Sequence, residues 1–298
     1  MIPAASADTS AVTRRVVVLS MDIEDWYHVD YLDKNLCDRS YSMLDGLEVY
    51  LGIMDRHGVS SSFFCTGEIA ESIAPSLRQM LLAGHEIGSH TQSHVRPLTI
   101  PGEDFRRELF SSKKTLEEIM GSKVEGFRAP CFSLDDEKLA MVREAGYLYD
   151  SSRIAFKENP RYGRMELAGF EEVRPCVFRD GDFFEFQMST LKVLGKNVPV
   201  SGGGYLRIFP WWLMGRLIRR YIGNNSLYLL YIHPYELSRK PAPAPPPGLG
   251  ALNNRRFRTG LGGVEAKLNL LIGALKDEGF AFTTFSALRK SLTDTGGA

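Results

Sequence analysis

Cysteine is scarce: the chain has four, Cys37, Cys65, Cys131 and Cys176, and no two form a C-x-x-C pair. Thiols so few and scattered exclude a disulfide framework and fit the free cysteines of a reducing compartment. Long apolar runs are missing as well, so no membrane-spanning helix is expected. The opening "MIPAASADTSAVTRRVVVLSMD" lacks a charged segment followed by a long apolar one, so no secretory signal is expected either. There is no surplus of either charge: Lys plus Arg and Asp plus Glu both count 36. Nucleic acid is therefore not an expected partner, because phosphate binding needs a basic surplus or stripe. These absences give the cytoplasm as the expected location, with the inner membrane surface as a variant of it.

What is present is a repeating pattern. "RVVVLSMDIED" is a β-branched apolar run that stops on acids, the pattern of a buried parallel strand with polar side chains at its C-terminal end. Helical and strand segments then alternate through about residue 152, with "VSSSFFCTG", "HEIGSH", "VEGFRAP" and "YLYDSS" as the further strands. That order predicts parallel βα units, and strands ending in polar residues suggest a barrel with a site at the C-terminal ends. Beyond it, "DFFEFQMST" and "SLYLLYIHPYEL" read as strands and "PWWLMGRLIRRYIG" as a helix between them. A helix at "GVEAKLNLLIGALKDEG" and a last strand with a short helix close the chain. Residues 1–14 read as a flexible tail and 15–298 as one domain, with a Pro-rich extended segment near 241–250.

Three of the six histidines, His85, His90 and His94, crowd into "GHEIGSHTQSHVRPLT". His90 and His94 are four apart, so on a helical turn they share a face and can bind one metal ion. A pair of surface or capping histidines is the plain alternative. His85, at the start of a strand, reads as structural. In "SMDIEDWYH", strand alternation puts Asp22 and Glu24 on one side, where one can be a metal ligand and the other a general base. A solvated acidic loop is the alternative. Arg128 ends the strand in "FRAPC" and is a candidate to hold the catalytic carboxylate by a bidentate bond. Asp150 of "YLYDSS" and His233 of "YLLYIHPYE" end two more strands. If the carboxylate reaches the imidazole, it fixes the tautomer and raises the pKa toward that of a useful acid. A hydrogen-bonded core histidine is the alternative for His233.

Taken in order, these motifs resemble those of the polysaccharide deacetylases, the NodB-like carbohydrate esterases. "SMDIED" looks like the family's T-F-D-D motif, "HTQSH" its H-[ST]-x-x-H motif and "RAPC" its R-x-P-[YF] motif. "YDSS" and "IHPYE" look like its Asp and His motifs. "SSFFCTGEIAE", "GGGYLRIFP" and the "RRFRTGLG" tail are similar to a subgroup from bacterial exopolysaccharide systems, over residues 15–285 or so.

The resemblance implies a distorted (β/α) barrel that removes acetyl groups from N-acetylhexosamine units of a glycan, which is lipid-linked in one version of the reading. It implies one divalent metal, zinc first, with cobalt, nickel or manganese as alternatives. Asp22 would be the general base, oriented by Arg128. His90 and His94 would be metal ligands, and His233, tuned by Asp150, would protonate the leaving amine. The oxyanion contact falls on the N–H of Cys131, after Pro130. The family's adjacent aspartates are here Asp22-Ile23-Glu24-Asp25. Related subgroups use an acid two residues after the base, which points to Glu24 as third ligand, with Asp25 as rival. Cys131 replaces the third motif's aromatic and reads as a packed free thiol or a further ligand.

Two other functions fit the same residues: a small-molecule amidohydrolase, and a glycan-binding protein without turnover. "RIFPWWLMGRLIRRYIG" interleaves Trp and Arg as a membrane-surface helix does. Core-facing spacing of Trp211, Trp212, Leu217, Ile218 and Tyr221 favours an ordinary packed helix there.

Overall fold

A computed structural model describes residues 14–156 and 161–294. The tail read at 1–14 falls almost wholly outside the described residues. The first half alternates strand and helix as the sequence predicts: β1 (Val16–Ile23), α1 (Asp45–His57), β2 (Ser62–Cys65), the short α2 (Gly67–Ala70), α3 (Ala74–Leu82), β3 (Glu86–Ser89), α4 (Gly102–Met120), β4 (Gly126–Phe127), α5 (Asp136–Glu144) and β5 (Tyr149–Asp150). The second half brings β6 (Glu171–Arg174), β7 (Val177–Asp180), β8 (Phe183–Phe186), β9 (Thr190–Val193), β10 (Lys196–Pro199), α6 (Gly203–Ile208), α7 (Trp211–Ile222) and β11 (Leu227–Ile232). It closes with α8 (Pro234–Leu237), α9 (Ala251–Arg258), α10 (Val264–Asp277), β12 (Ala281–Phe282) and α11 (Phe285–Asp294).

The strands lie in the order β11-β1-β2-β3-β4-β5-β8, all parallel, with β7 and β6 added antiparallel and β12 beside β1. An irregular segment spans the gap between β8 and β11. Met188 bridges Ile154, Ser189 Oγ accepts the Leu229 N–H at 3.0 Å, and the Ser201 carbonyl accepts the Tyr231 N–H at 2.8 Å. The result is a distorted α/β barrel. "DFFEFQMST", expected as one strand, divides into β8 and β9 because the chain leaves the ring at this crossing.

Every residue of β1 is buried, because helices cover one face and the barrel interior the other. Val17, Leu19, Met21 and Ile23 pack outward into the main core under the helices. Val16 and Val18 point inward with Phe64, Leu229 and Phe285. Period-two alternation continues this inner row through Ser20 to Asp22. The strand that builds the core thus delivers a carboxylate to the C-terminal mouth of the barrel.

Candidate active site

The mouth of the barrel is a cleft of about 300 Å³ whose lining includes Asp22, Glu24, His90, His94, Cys131 and His233. Asp22 and Arg128 meet beneath it, both almost wholly buried. Arg128 Nη1 donates to Asp22 Oδ1 at 2.7 Å and to Ser20 Oγ at 2.9 Å. Its Nε donates to the Ser151 carbonyl and its Nη2 to Ser151 Oγ, each at 3.0 Å. The guanidinium also lies over the Phe64 ring, 4.1 Å from its centroid. The expected bidentate clamp is therefore corrected to a single-pronged pair, because Ser151 occupies the other edge of the fork. A buried charge pair holds when its remaining donors are satisfied, and these are.

Glu24, His90 and His94 offer ligand atoms that all lie within 4.8 Å of one another. Glu24 is in direct contact with His94 Nε2 and lies 3.8 Å from His90 Nε2. His90 Nδ1 donates to the Arg128 carbonyl at 2.8 Å, which fixes the tautomer and leaves Nε2 as the free lone pair. Burial lowers the His90 pKa to about 4, so the ring is neutral, as a ligand must be. Burial alone would raise Glu24, but the imidazoles of His94, His233 and His90 outweigh it and hold the carboxyl well below the usual range. One carboxylate and two imidazoles with a cleft in front are a donor set that suits zinc and similar divalent ions.

The spacing of the pair predicts a helical turn, and the structure has a loop there instead. His90 follows β3, and His94 sits in a loop at φ 55°, with Thr91 at φ 64°. Two left-handed residues in the loop, instead of a helix, bring the rings to 5.0 Å between centroids.

Asp25, the rival ligand, is occupied elsewhere. Its Oδ1 accepts the N–H of Trp26 at 2.8 Å and of Met43 at 2.9 Å. His28 completes this cap, its Nδ1 accepting the Asp25 N–H at 3.0 Å while its Nε2 meets Glu68 Oε1 at 2.5 Å. His85 is structural as expected, with Nδ1 accepting the Ser61 N–H at 3.1 Å.

His233 reaches Glu24 Oε1 at 3.6 Å through Nε2. Its Nδ1 lies 3.2 Å from Glu236 Oε2, so the expected partner Asp150 is corrected to Glu236. Asp150 instead accepts from the Ser152 N–H at 2.9 Å and Ser152 Oγ at 2.7 Å, next to Glu185. Glu236 is fully buried and also takes Arg207 Nε at 3.3 Å and the His233 N–H at 3.1 Å. Its room comes from Gly203, where a Cβ would lie 2.0 Å from Glu236 Oε2. Burial works against a charged imidazole, but the carboxylates of Glu24, Glu236 and Asp22 prevail and raise the His233 pKa to about 9. Glu236 was legible after all: "HPYE" is an N-cap residue followed at N3 by Glu, the spacing of a capping box.

Pro130 opens a tight turn in which Cys131 and Phe132 both take positive φ, 56° and 53°. Non-glycine residues occupy that region rarely, and it tends to mark functional segments. Among the described residues no acceptor takes the Cys131 N–H, so this donor remains available at the cleft. Burial pushes the Cys131 thiol well above its ordinary pKa, and the thiol stands outside the ligand group.

Residues 38–149 match the family profile described as polysaccharide deacetylase, and residues 151–290 match a domain of unknown function, DUF3473. A chitooligosaccharide deacetylase of Azorhizobium caulinodans is 34% identical over 95 residues, 32% of this chain and 45% of its own length. A peptidoglycan deacetylase of Helicobacter pylori is 22% identical over 120 residues, 40% of this chain and 41% of its own. The chain thus spans less than half the length of these relatives. Among solved structures, a Mycobacterium smegmatis protein assigned to the polysaccharide deacetylases aligns over 99% of this chain and 95% of its own, at 18% identity and TM-score 0.66. A CE4-family pseudoenzyme of Bacillus anthracis aligns over 93% of this chain and 66% of its own, at 14% identity and TM-score 0.55. At such identities the structures speak for the fold alone. The profile match thus gives residues 38–149 as a polysaccharide deacetylase domain, and the shared fold extends over the rest of the described chain.

Proposed function

We propose that the chain is a metal-dependent N-deacetylase that removes acetyl groups from N-acetylhexosamine units of a glycan in bacterial exopolysaccharide biosynthesis. The observation that carries this reading is the convergence, in one cleft, of Glu24, His90 and His94 with the Asp22–Arg128 pair and His233. The names of its relatives, a chitooligosaccharide and a peptidoglycan deacetylase, support a glycan substrate. Pairing of β8 with β5 and of β11 with β1 supports one deacetylase domain from residue 15 onward, across both profile matches. The four free thiols support a reducing, cytoplasmic setting.

Glu24, His90 and His94 would hold the divalent ion, zinc first. When bound, such an ion acts as a Lewis acid toward the acetamide carbonyl and lowers the pKa of water. Asp22, aimed by Arg128, takes the proton from the attacking water. The Cys131 N–H donates to the oxygen that becomes negative as the carbonyl turns tetrahedral. His233, its Nδ1 anchored on Glu236, gives the Nε2 proton to the departing amine. Acetate and a free amino sugar result.

A cleft of about 300 Å³ also has room for a small-molecule amide, the second reading. Acetate release from N-acetylglucosamine oligomers of increasing length separates the two. Release that rises with length supports the glycan reading. Release from small amides alone, or none from a fully metal-loaded protein, overturns it.

A further inference from the structure

The chain is neutral as a whole, yet between Glu185 and Glu236 there is no acidic residue and there are six cations. Arg207 is buried against Glu236. The other five, Lys192, Lys196, Arg216, Arg219 and Arg220, are exposed, and among the described residues none has a carboxylate partner. An asymmetry of this kind within a balanced chain marks a surface built to meet negative charge.

Apolar side chains stand out of the same surface. The inner face of α7 packs through Met214, Ile218 and Tyr221, as its spacing predicts, but Trp212 does not join them and is 70% exposed. Trp212, Arg216 and Arg219 follow one another at i, i+4 and i+7, one outward stripe of the helix. Phe209, just before α7, is 38% exposed and lines the cleft.

β9 packs against α7, and the β9–β10 hairpin turns at Leu194-Gly195. Leu194 is fully exposed and sits at φ 48°, followed by Gly195 at φ 80°. A two-residue turn with both φ positive strongly prefers Asn-Gly. A leucine there gives up backbone comfort and a wet polar side chain together, with Lys192 and Lys196 on either side. Nothing in the packing of the fold calls for it.

We infer that α7 and the β9–β10 hairpin form a docking surface for an anionic phospholipid bilayer. Leu194 and Trp212 enter the interface, and the five cations meet the headgroups. Apolar tips ringed by Lys and Arg are how peripheral proteins hold such a surface. Because Phe209 joins this surface to the cleft, a docked molecule has its mouth beside the membrane, within reach of a lipid-linked glycan. The docking stands without the deacetylase reading; only this last consequence rests on it.

Flotation of the full chain with phosphatidylcholine vesicles, with and without phosphatidylglycerol, at low and high salt, tests the inference. Roughly tenfold stronger binding to the phosphatidylglycerol vesicles is expected, weakening with salt. Leu194→Asn with Trp212→Ser should lose most of it, and Arg216→Glu with Arg219→Glu should lose the lipid preference. Acetate release from a soluble oligosaccharide, and the melting temperature, should stay near the parent values in both variants. Absence of flotation overturns the inference. Equal flotation of the Leu194→Asn, Trp212→Ser chain also overturns it, since a polyanion site made of arginine alone needs neither side chain. A dimer in sedimentation that Leu194→Asn dissolves would assign the surface to a second copy of the chain instead.

Discussion

Glu236 stands one helical turn after His233 and holds its Nδ1 at 3.2 Å, while Arg207 holds Glu236 from behind. A carboxylate behind an imidazole fixes which nitrogen carries the proton and raises its pKa. Glu236→Gln should therefore lower kcat for acetate release by roughly 10- to 100-fold with little change in KM. The pH profile should narrow on its alkaline side. Asp150→Asn, off the ring, should change the melting temperature more than kcat. Matched kinetics and melts of the two variants check this.

Arg128 and Asp22 form the buried pair under the cleft. Removing one partner leaves the other charged and buried, a loss of about 3–5 kcal/mol in comparable pairs. Arg128→Met should show such a loss in urea unfolding. The Asp22→Asn, Arg128→Met double variant should recover part of it, so that the two changes fail to add. Additive losses would mean that the pair is not coupled.

Glu24 and Asp25 are neighbours with different duties. Glu24→Ala should abolish stoichiometric metal binding and leave the fold intact. Asp25→Ala should keep the metal and cost about 1–2 kcal/mol of stability, the usual value of a lost cap. Metal analysis of purified protein beside thermal melts distinguishes them.

Asp150 and Glu185 are buried together: burial raises both, the Asp150 charge raises Glu185 further, and hydrogen bonds from Glu185 and Ser152 pull Asp150 part of the way back. Among the described residues Glu185 Oε2 has no hydrogen-bond partner, the arrangement expected if the pair keeps one shared proton. An acid with a raised folded-state pKa keeps its proton longer in the folded protein than in the unfolded chain. The stability it contributes is complete below the ordinary carboxylate range and is lost as pH rises toward the raised values. Glu185→Gln can donate to Asp150 through Nε2 and removes that loss. Its urea midpoint should fall less than that of the parent between mildly acidic and mildly alkaline pH. Parallel curves would contradict the shared proton.

The parts of this molecule that were legible in the sequence share one cause. A buried strand cannot end on acids without partners, and "VVVLSMDIED" announced both the strand and the site at its end. The pair His90 and His94 was legible by spacing, although the loop that joins them is left-handed and not helical. Local pattern missed what depends on distant chain. Glu236 is marked locally as the N3 acid of "HPYE", but the room that lets it stand behind His233 is made by Gly203 from another element. The β6–β7 hairpin went unread because its strands are short and half exposed. Spacing places both Trp211 and Trp212 toward the core, but only Trp211 packs there and Trp212 faces out.

In the proposed mechanism Asp22 is a base beside a metal site and not itself a ligand. Acetate release by Asp22→Asn, measured with metal content on the same sample, tests it most directly. Full metal occupancy with release reduced by about 10²-fold or more is the predicted result. Release near the parent level, or loss of the metal along with the activity, would contradict it.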